Sequence, residues 1–154
     1  MMRVLLAATI AACAAALPAS AASTRDFDAQ LHDNLACSTG FDLCGKGLVQ
    51  GFGTVTTALR FTGFGPGPGN CAGVTAERVI TLDSDGSTLD MALDGVLCPK
   101  GSPNGHPSGS GTFTITGGTG VFAGATGSGL LSVQSTGTPV PSDTAHYHGT
   151  ITLP

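Results

Sequence analysis

A glycine-rich run between residues 117 and 129 constrains the fold of this chain more than any other feature. It reads Gly-Gly-Thr-Gly-Val-Phe-Ala-Gly-Ala-Thr-Gly-Ser-Gly and surrounds one large apolar side chain, Phe122, with glycines and small hydroxyl residues. Glycine weakens helix and strand interiors, so such a run persists where the backbone needs positive φ or approaches another segment closely. Because Thr112–Thr116 and Leu130–Ser135 on either side have strand patterns, we predict a tight corner inside a β-sheet protein.

Short alternating runs recur along the rest of the chain, separated by clusters of Gly, Pro, Asn and Asp, and no run of helical period follows residue 21. This pattern is typical of antiparallel sheets. The predicted strands are Thr24–Leu31, Gly53–Thr62, Val74–Leu82, Ser87–Leu97, Gly111–Thr116, Val121–Ala125, Gly129–Ser135 and Ala145–Leu153. Eight strands predict a single all-β domain, an eight-stranded antiparallel β-barrel, since closure leaves no exposed strand edge.

The first 21 residues have the composition of a secretory signal peptide. A short segment containing Arg3 precedes the apolar stretch Val4–Leu17, and small residues follow as far as Ala21. The apolar stretch is shorter than the roughly 20 residues of a transmembrane helix, and no second one follows. We therefore predict a secreted protein with no transmembrane segment, in which residues 1–21 are removed and residues 22–154 form the barrel. The alternative is a lipoprotein anchored through Cys13, which follows Ile-Ala-Ala.

Four cysteines remain after residue 21, and their spacing predicts two disulfides. A hairpin turn at residues 83–86, Asp-Ser-Asp-Gly, brings Cys71 and Cys98 opposite each other at the far end of its two strands. Cys37 and Cys44 then pair locally. A zinc site built from all four cysteines would be the alternative, but the chain lacks the Cys-x-x-Cys spacing of such sites, and we predict no metal.

Charge and aromatic content argue against several classes of partner. The formal net charge is −4 and the chain has no basic run, which argues against nucleic acid as a partner. It has no tryptophan and one tyrosine, so the aromatic platforms of carbohydrate-binding and single-strand-binding faces are absent.

The glycine-rich corner also carries a family resemblance. Residues 114–120, Thr-Ile-Thr-Gly-Gly-Thr-Gly, followed by residues 122–127, Phe-Ala-Gly-Ala-Thr-Gly, resemble the signature of the allene oxide cyclase barrel and dirigent superfamily in its small exported bacterial group. Leu43-Cys44-Gly45, Gly51-Phe52-Gly53 and Gly149-Thr150-Ile151-Thr152 are similar to that group as well. The resemblance implies an eight-stranded antiparallel barrel with a cavity open at one end.

The same resemblance does not supply a reaction. Plant members guide the cyclisation or radical coupling of lipid or phenolic substrates with acidic, arginine or aromatic pocket residues. None of those residues can be matched to a position of this chain, so no catalytic residue and no cofactor is predicted.

Arg78 and Tyr147 are the candidate ligand-binding residues. Arg78 shares one face of its strand with apolar residues such as Val74 and Ile80, and Tyr147 shares its face with Ile151. If these faces line the barrel, Arg78 points inward and must meet a carboxylate, a carbonyl or a ligand anion. The two side chains would then anchor an amphiphilic carboxylate in an apolar pocket. In the alternative, a bulge or a hydrated rim lets Arg78 reach outward into solvent.

Other polar groups have simpler interpretations. Residues 118–123 mimic a dinucleotide-binding fingerprint, but a strand rather than a helix is predicted after the glycines. His146 and His148 share the outer face of their strand without an evident third metal ligand. Strand alternation places the paired carboxylates on outer faces, without the burial that general acid–base chemistry would need; they are Asp26, Asp28, Asp90 and Asp94.

These observations predict a binding module for a small amphiphilic or hydrophobic molecule. Two alternatives stay open: a non-catalytic envelope or matrix protein with a filled barrel, and a cyclase- or isomerase-like enzyme that acts by confining its substrate. The ligand and the oligomeric state do not follow from the sequence.

Overall fold

The chain folds into a closed eight-stranded antiparallel barrel, which confirms the predicted fold class. In the computed structural model the described residues are 21–34, 37, 40–99, 106–135 and 142–154. The strands are β1 (Ser23–Asn34), β2 (Leu43–Val49), β3 (Gly53–Pro66), β4 (Ala72–Leu82), β5 (Thr88–Cys98), β6 (Ser108–Gly118), β7 (Thr126–Ser135) and β8 (Ser142–Leu153). Each strand pairs with its neighbours in chain order, and β8 pairs with β1 to close the barrel.

Strand alternation determines which side chains enter the lumen. In β1, Phe27, Ala29, Leu31 and Asp33 are buried while every residue between them is exposed. This is the period of two that a strand with one apolar face requires. Buried residues from seven of the strands form one core inside the barrel, and the partly buried Leu131 and Val133 of β7 pack against it.

The predicted strand at Val121–Ala125 is wrong. A 3₁₀ turn, η1 (Gly120–Phe122), occupies this place. Gly120 and Gly124 have φ values of 58° and 72°, a left-handed conformation that interrupts a strand and that glycine adopts without steric cost. The predicted tight corner is therefore present, but it contains a helical turn instead of a strand.

A strand that was not predicted, β2, replaces it in the count of eight. Its sequence, Leu-Cys-Gly-Lys-Gly-Leu-Val, has glycines where an alternating strand would show larger inward or outward side chains. Gly45 and Gly47 lie against the β1 backbone, where a Cβ atom would collide with main-chain atoms of residues 30–33. The close approach of β1 explains the glycines. Because glycines interrupt the alternation of apolar and polar side chains, the sequence pattern did not indicate a strand here.

The two ends of the barrel differ. At one end, which we call the plug end, short turns join β2 to β3 and β4 to β5, and η1 covers the lumen. Phe122 is fully buried there, with its ring centroid 4.8 Å from that of Phe52. The guanidinium carbon of Arg25 lies 3.8 Å from the centroid of the Phe52 ring. Aromatic packing therefore closes this end of the lumen.

The opposite end, which we call the disulfide end, carries both predicted disulfides, and both pairings are confirmed. Cys37 is bonded to Cys44, and Cys71 to Cys98. The β4–β5 register explains the second bond: Ala72 pairs with Leu97, so Cys71 and Cys98 occupy the next pair of positions.

The predicted signal peptide lies almost wholly outside the described residues, which begin at Ala21, and Cys13 lies outside them too. Within the part of the chain that is described, no helix has the length and apolar character needed to cross a bilayer.

Candidate ligand-binding cavity

A cavity of about 100 Å³ occupies the half of the lumen nearer the disulfide end. Its walls are largely apolar and come from all eight strands. The apolar lining residues include Leu43, Leu59, Phe61, Val74, Ala76, Leu93, Val96, Leu97, Leu131 and Val133. Apolar cavities of about 150 Å³ in other proteins hold a molecule as large as benzene. At about 100 Å³ this cavity is smaller, so it suits a very small molecule or the apolar part of a longer one.

Arg78 and Tyr147 form the floor of this cavity. They are the lining residues of β4 and β8 that lie farthest from the disulfide end, since Ile80 and Ile151 beyond them belong to the filled core. The structure thus brings the two predicted residues together on the lumen wall. With Arg78 only 2% exposed, the alternative in which it reaches outward is wrong.

The Arg78 side chain crosses the lumen and forms a buried ion pair with Asp33 of β1. Its Nη1 and Nη2 atoms donate to the two carboxylate oxygens at 3.0 and 2.7 Å, and Nη1 also donates to Thr57 Oγ1 at 2.7 Å. Such two-point contact is the strongest arrangement of a guanidinium and a carboxylate. The partner required by an inward arginine is therefore a residue of the chain itself.

Burial and the ion pair act in opposite directions on Arg78. Burial lowers its pKa, but the negative charge that Tyr147 carries once ionised and the Asp33 carboxylate raise it by more, so the net pKa lies above its ordinary value. The guanidinium is consequently charged at neutral pH.

Tyr147 provides a neutral phenol beside this pair. Burial raises its pKa and the negative charge of Asp33 adds to the rise. Together they exceed the lowering caused by the positive charge of Arg78 and by the proximity of its N–H groups. The Arg78 guanidinium carbon lies 5.6 Å from the centre of the tyrosine ring. The centre of the Phe113 ring lies 5.6 Å from the same point.

Two polar atoms of this floor lack a hydrogen-bond partner among the described residues: Arg78 Nε and Tyr147 Oη. Both are buried, and leaving a buried donor unpaired costs free energy that most proteins avoid. The floor therefore has unused hydrogen-bonding capacity.

Asp143, at the start of β8, adds a half-buried carboxyl to the cavity lining near the disulfide end. Burial raises its pKa, a hydrogen bond with Ser135 lowers it, the negative charge of Asp33 raises it, and Arg78 lowers it; the net pKa is above its ordinary value.

Sequence reasoning missed Asp33, Thr57 and Asp143. The predicted first strand ended at Leu31, two residues before Asp33, and the predicted last strand began at Ala145, two residues after Asp143. Extending the alternation of Phe27, Ala29 and Leu31 by one step would have placed Asp33 in the lumen.

The remaining candidates lie outside the lumen. His146 and His148 are exposed on β8, and His148 Nδ1 lies 3.6 Å from a carboxylate oxygen of Asp28. Across the described ranges, no group of three histidine, cysteine or acidic residues is arranged to hold a metal ion.

Comparisons with known protein families, with curated proteins and with solved structures find no match to this chain. The resemblance to the allene oxide cyclase and dirigent superfamily therefore stays a prediction.

Proposed function

We propose that this barrel is an exported binding module that holds a small amphiphilic or hydrophobic molecule in its lumen. The observation that carries the proposal is the apolar cavity with unpaired buried polar atoms at its floor. Ligand sites in proteins have this composition: mostly apolar walls and a few polar groups that orient the ligand.

The difference between the two ends of the barrel supports the proposal. Phe52 and Phe122 close the plug end, whereas the cavity lies toward the disulfide end. A ligand would therefore enter from the disulfide end and place its polar group against Arg78 and Tyr147.

Export is part of the proposal. Disulfides persist in oxidising compartments, and this chain has two. We propose that residues 1–21 are a cleaved signal peptide. The intact mass of the protein exported by its host tests this: a mature chain that begins at Ala22 supports cleavage, and a lipid-modified chain that begins at Cys13 contradicts it.

The binding proposal is tested by native and denaturing mass spectrometry of freshly exported protein, with a cavity-filling variant. Ala76→Leu adds side-chain volume to the cavity, and Ala92→Leu makes the same change at an exposed position of β5. We expect a non-covalent adduct on the wild type and on Ala92→Leu that is lost from Ala76→Leu and on denaturation. An adduct that persists in Ala76→Leu would place the ligand outside the lumen.

The two alternatives predict different results. A filled structural barrel would carry no adduct and would bind no small amphiphile. An enzyme that confines its substrate would convert a bound compound into an isomer of equal mass, which chromatography of the released material would detect.

A further inference from the structure

The charge of Arg78 is already balanced before any ligand binds. Arg78 carries one positive charge, and both oxygens of Asp33 accept hydrogen bonds from it. Asp143 is the remaining charged residue of the lining within the described part of the chain. An incoming carboxylate would therefore meet a neutralised arginine and a second carboxyl group, which disfavours the anionic ligand that the sequence suggested.

The unused groups at the floor are hydrogen-bond donors. Arg78 Nε can only donate, and the Tyr147 phenol, which keeps its proton, can donate as well. If a small side-chain rotation let the phenol oxygen accept from Nε, the tyrosine O–H would still lack an acceptor. What the floor lacks is therefore an acceptor, and a protonated amine would not supply one.

We propose that the cavity selects an uncharged ligand whose polar end accepts hydrogen bonds, such as a ketone, aldehyde or ester carbonyl, joined to a short apolar chain. This inference rests on the proposed binding function and adds the class of head group. The carbonyl oxygen takes the place next to Tyr147 and Arg78, while the chain contacts apolar lining residues such as Leu59 and Leu131.

The test is a matched series of ligands that share a six-carbon chain and differ only in the head group. Hexyl methyl ketone, heptanol, heptanoate and heptylamine are titrated at neutral pH into isotopically labelled protein, and chemical shifts give the dissociation constants. We expect the ketone and heptanol to bind on the order of tenfold more tightly than heptanoate or heptylamine, since only their oxygens satisfy a buried donor without adding charge.

Two variants separate the contributions. Tyr147→Phe removes the phenol hydroxyl, and we expect it to weaken ketone binding roughly five- to tenfold. Its matched control is Thr150→Val, which removes a hydroxyl from the exposed face of the same strand and leaves the affinity unchanged. Asp143→Asn removes the carboxyl charge, and we expect it to strengthen heptanoate binding while the ketone affinity stays within about twofold.

Failure of this inference is distinct from failure of the binding function. If heptanoate or heptylamine binds most tightly, or if all four compounds bind equally, the cavity binds ligands but the head-group inference is wrong. If Tyr147→Phe leaves ketone binding unchanged, the floor does not contact the ligand and the inference is again wrong. If none of the four compounds binds, the proposed function fails as well.

Discussion

At the scale of single residues, the Arg78–Asp33 pair is the most consequential contact of this barrel. Both side chains are buried, and they come from strands that are not neighbours in the sheet. Removing an ion from water costs several kcal/mol, which the pair offsets only because its geometry is good and Thr57 adds a hydrogen bond. Without Asp33, the positive charge of Arg78 would be too costly to bury in the lumen.

Removing one partner of this pair should destabilise the protein more than replacing both partners by apolar residues. Asp33→Asn leaves the guanidinium charge buried without a counter-charge, and we expect a loss of about 3–5 kcal/mol in the free energy of unfolding. The double variant Asp33→Leu, Arg78→Met replaces both groups by apolar ones, and should recover most of that loss. Chemical denaturation measures both, and a stability of Asp33→Asn equal to wild type would contradict this account.

Titration of Asp143 should make the free energy of unfolding depend on pH. Its pKa in the folded protein lies above the ordinary 3.8, so the folded state binds this proton more tightly than the unfolded state. The stabilisation is fully present below pH 3.8 and is lost as the pH rises through the raised pKa.

The difference in unfolding free energy between Asp143→Asn and wild type measures this effect across that range. We expect the free energy of unfolding of Asp143→Asn to increase relative to that of wild type as the pH rises, because the amide carries no charge that burial penalises. A difference that does not vary with pH would show that the carboxyl titrates alike in both states.

At the scale of structural elements, the glycine-rich corner folds a phenylalanine into the lumen as a plug. The peptide N–H groups of Phe122 and Ala123 donate to the carbonyls of Thr119 and Gly120 at 3.0 and 3.1 Å, which closes the turn. A Cβ atom on Gly120 would also strike the Ser87 side chain, so both φ and space require glycine there. The corner is a packing device that closes one end of the barrel.

Adjacent residues of this corner should differ sharply in their effect on stability. Phe122→Ala removes a fully buried ring that packs on Phe52, and we expect it to cost about 3–5 kcal/mol. Val121→Ala, at a side chain that is half exposed, should change the stability by no more than about 0.5 kcal/mol. Equal effects in a denaturant titration would show that η1 does not plug the lumen in solution.

At the scale of the whole molecule, closure makes every strand dependent on two neighbours. β1 and β8 pair along their full lengths, from Ser23 with Leu153 to Asn34 with Ser142. At the next seam, Gly129 of β7 faces Gly149 of β8, and the Phe113 ring packs where a Cβ of Gly129 would come within 2.6 Å of it. No strand can leave the sheet without exposing the apolar side chains of the lumen.

Unfolding should therefore be a single cooperative transition. Tyr147 is the only tyrosine and the chain has no tryptophan, so its fluorescence reports the cavity floor alone, whereas circular dichroism reports all strands. We expect both signals to change at the same denaturant concentration. An earlier change of tyrosine fluorescence would show that the disulfide end opens while the plug end remains folded.

The sequence by itself determined the fold class, both disulfide pairings and the inward direction of Tyr147. These follow from local rules: strand alternation assigns faces, and the symmetric hairpin at residues 83–86 sets Cys71 opposite Cys98. Local rules failed where neighbouring strands decided the outcome. β2 was hidden by glycines that only the approach of β1 explains, and the strand predicted at residues 121–125 became a plug because Phe122 could be buried in the lumen.

Only the tertiary structure decided what Arg78 contacts. The sequence showed that an inward arginine needs a partner, but Asp33 precedes it by 45 positions and meets it only across the closed barrel. Barrel closure brings together inward side chains from strands that never pair, and no local pattern encodes such a meeting. That contact turned a predicted anion anchor into a neutral floor, because a charge already balanced inside the protein has little attraction left for an anion.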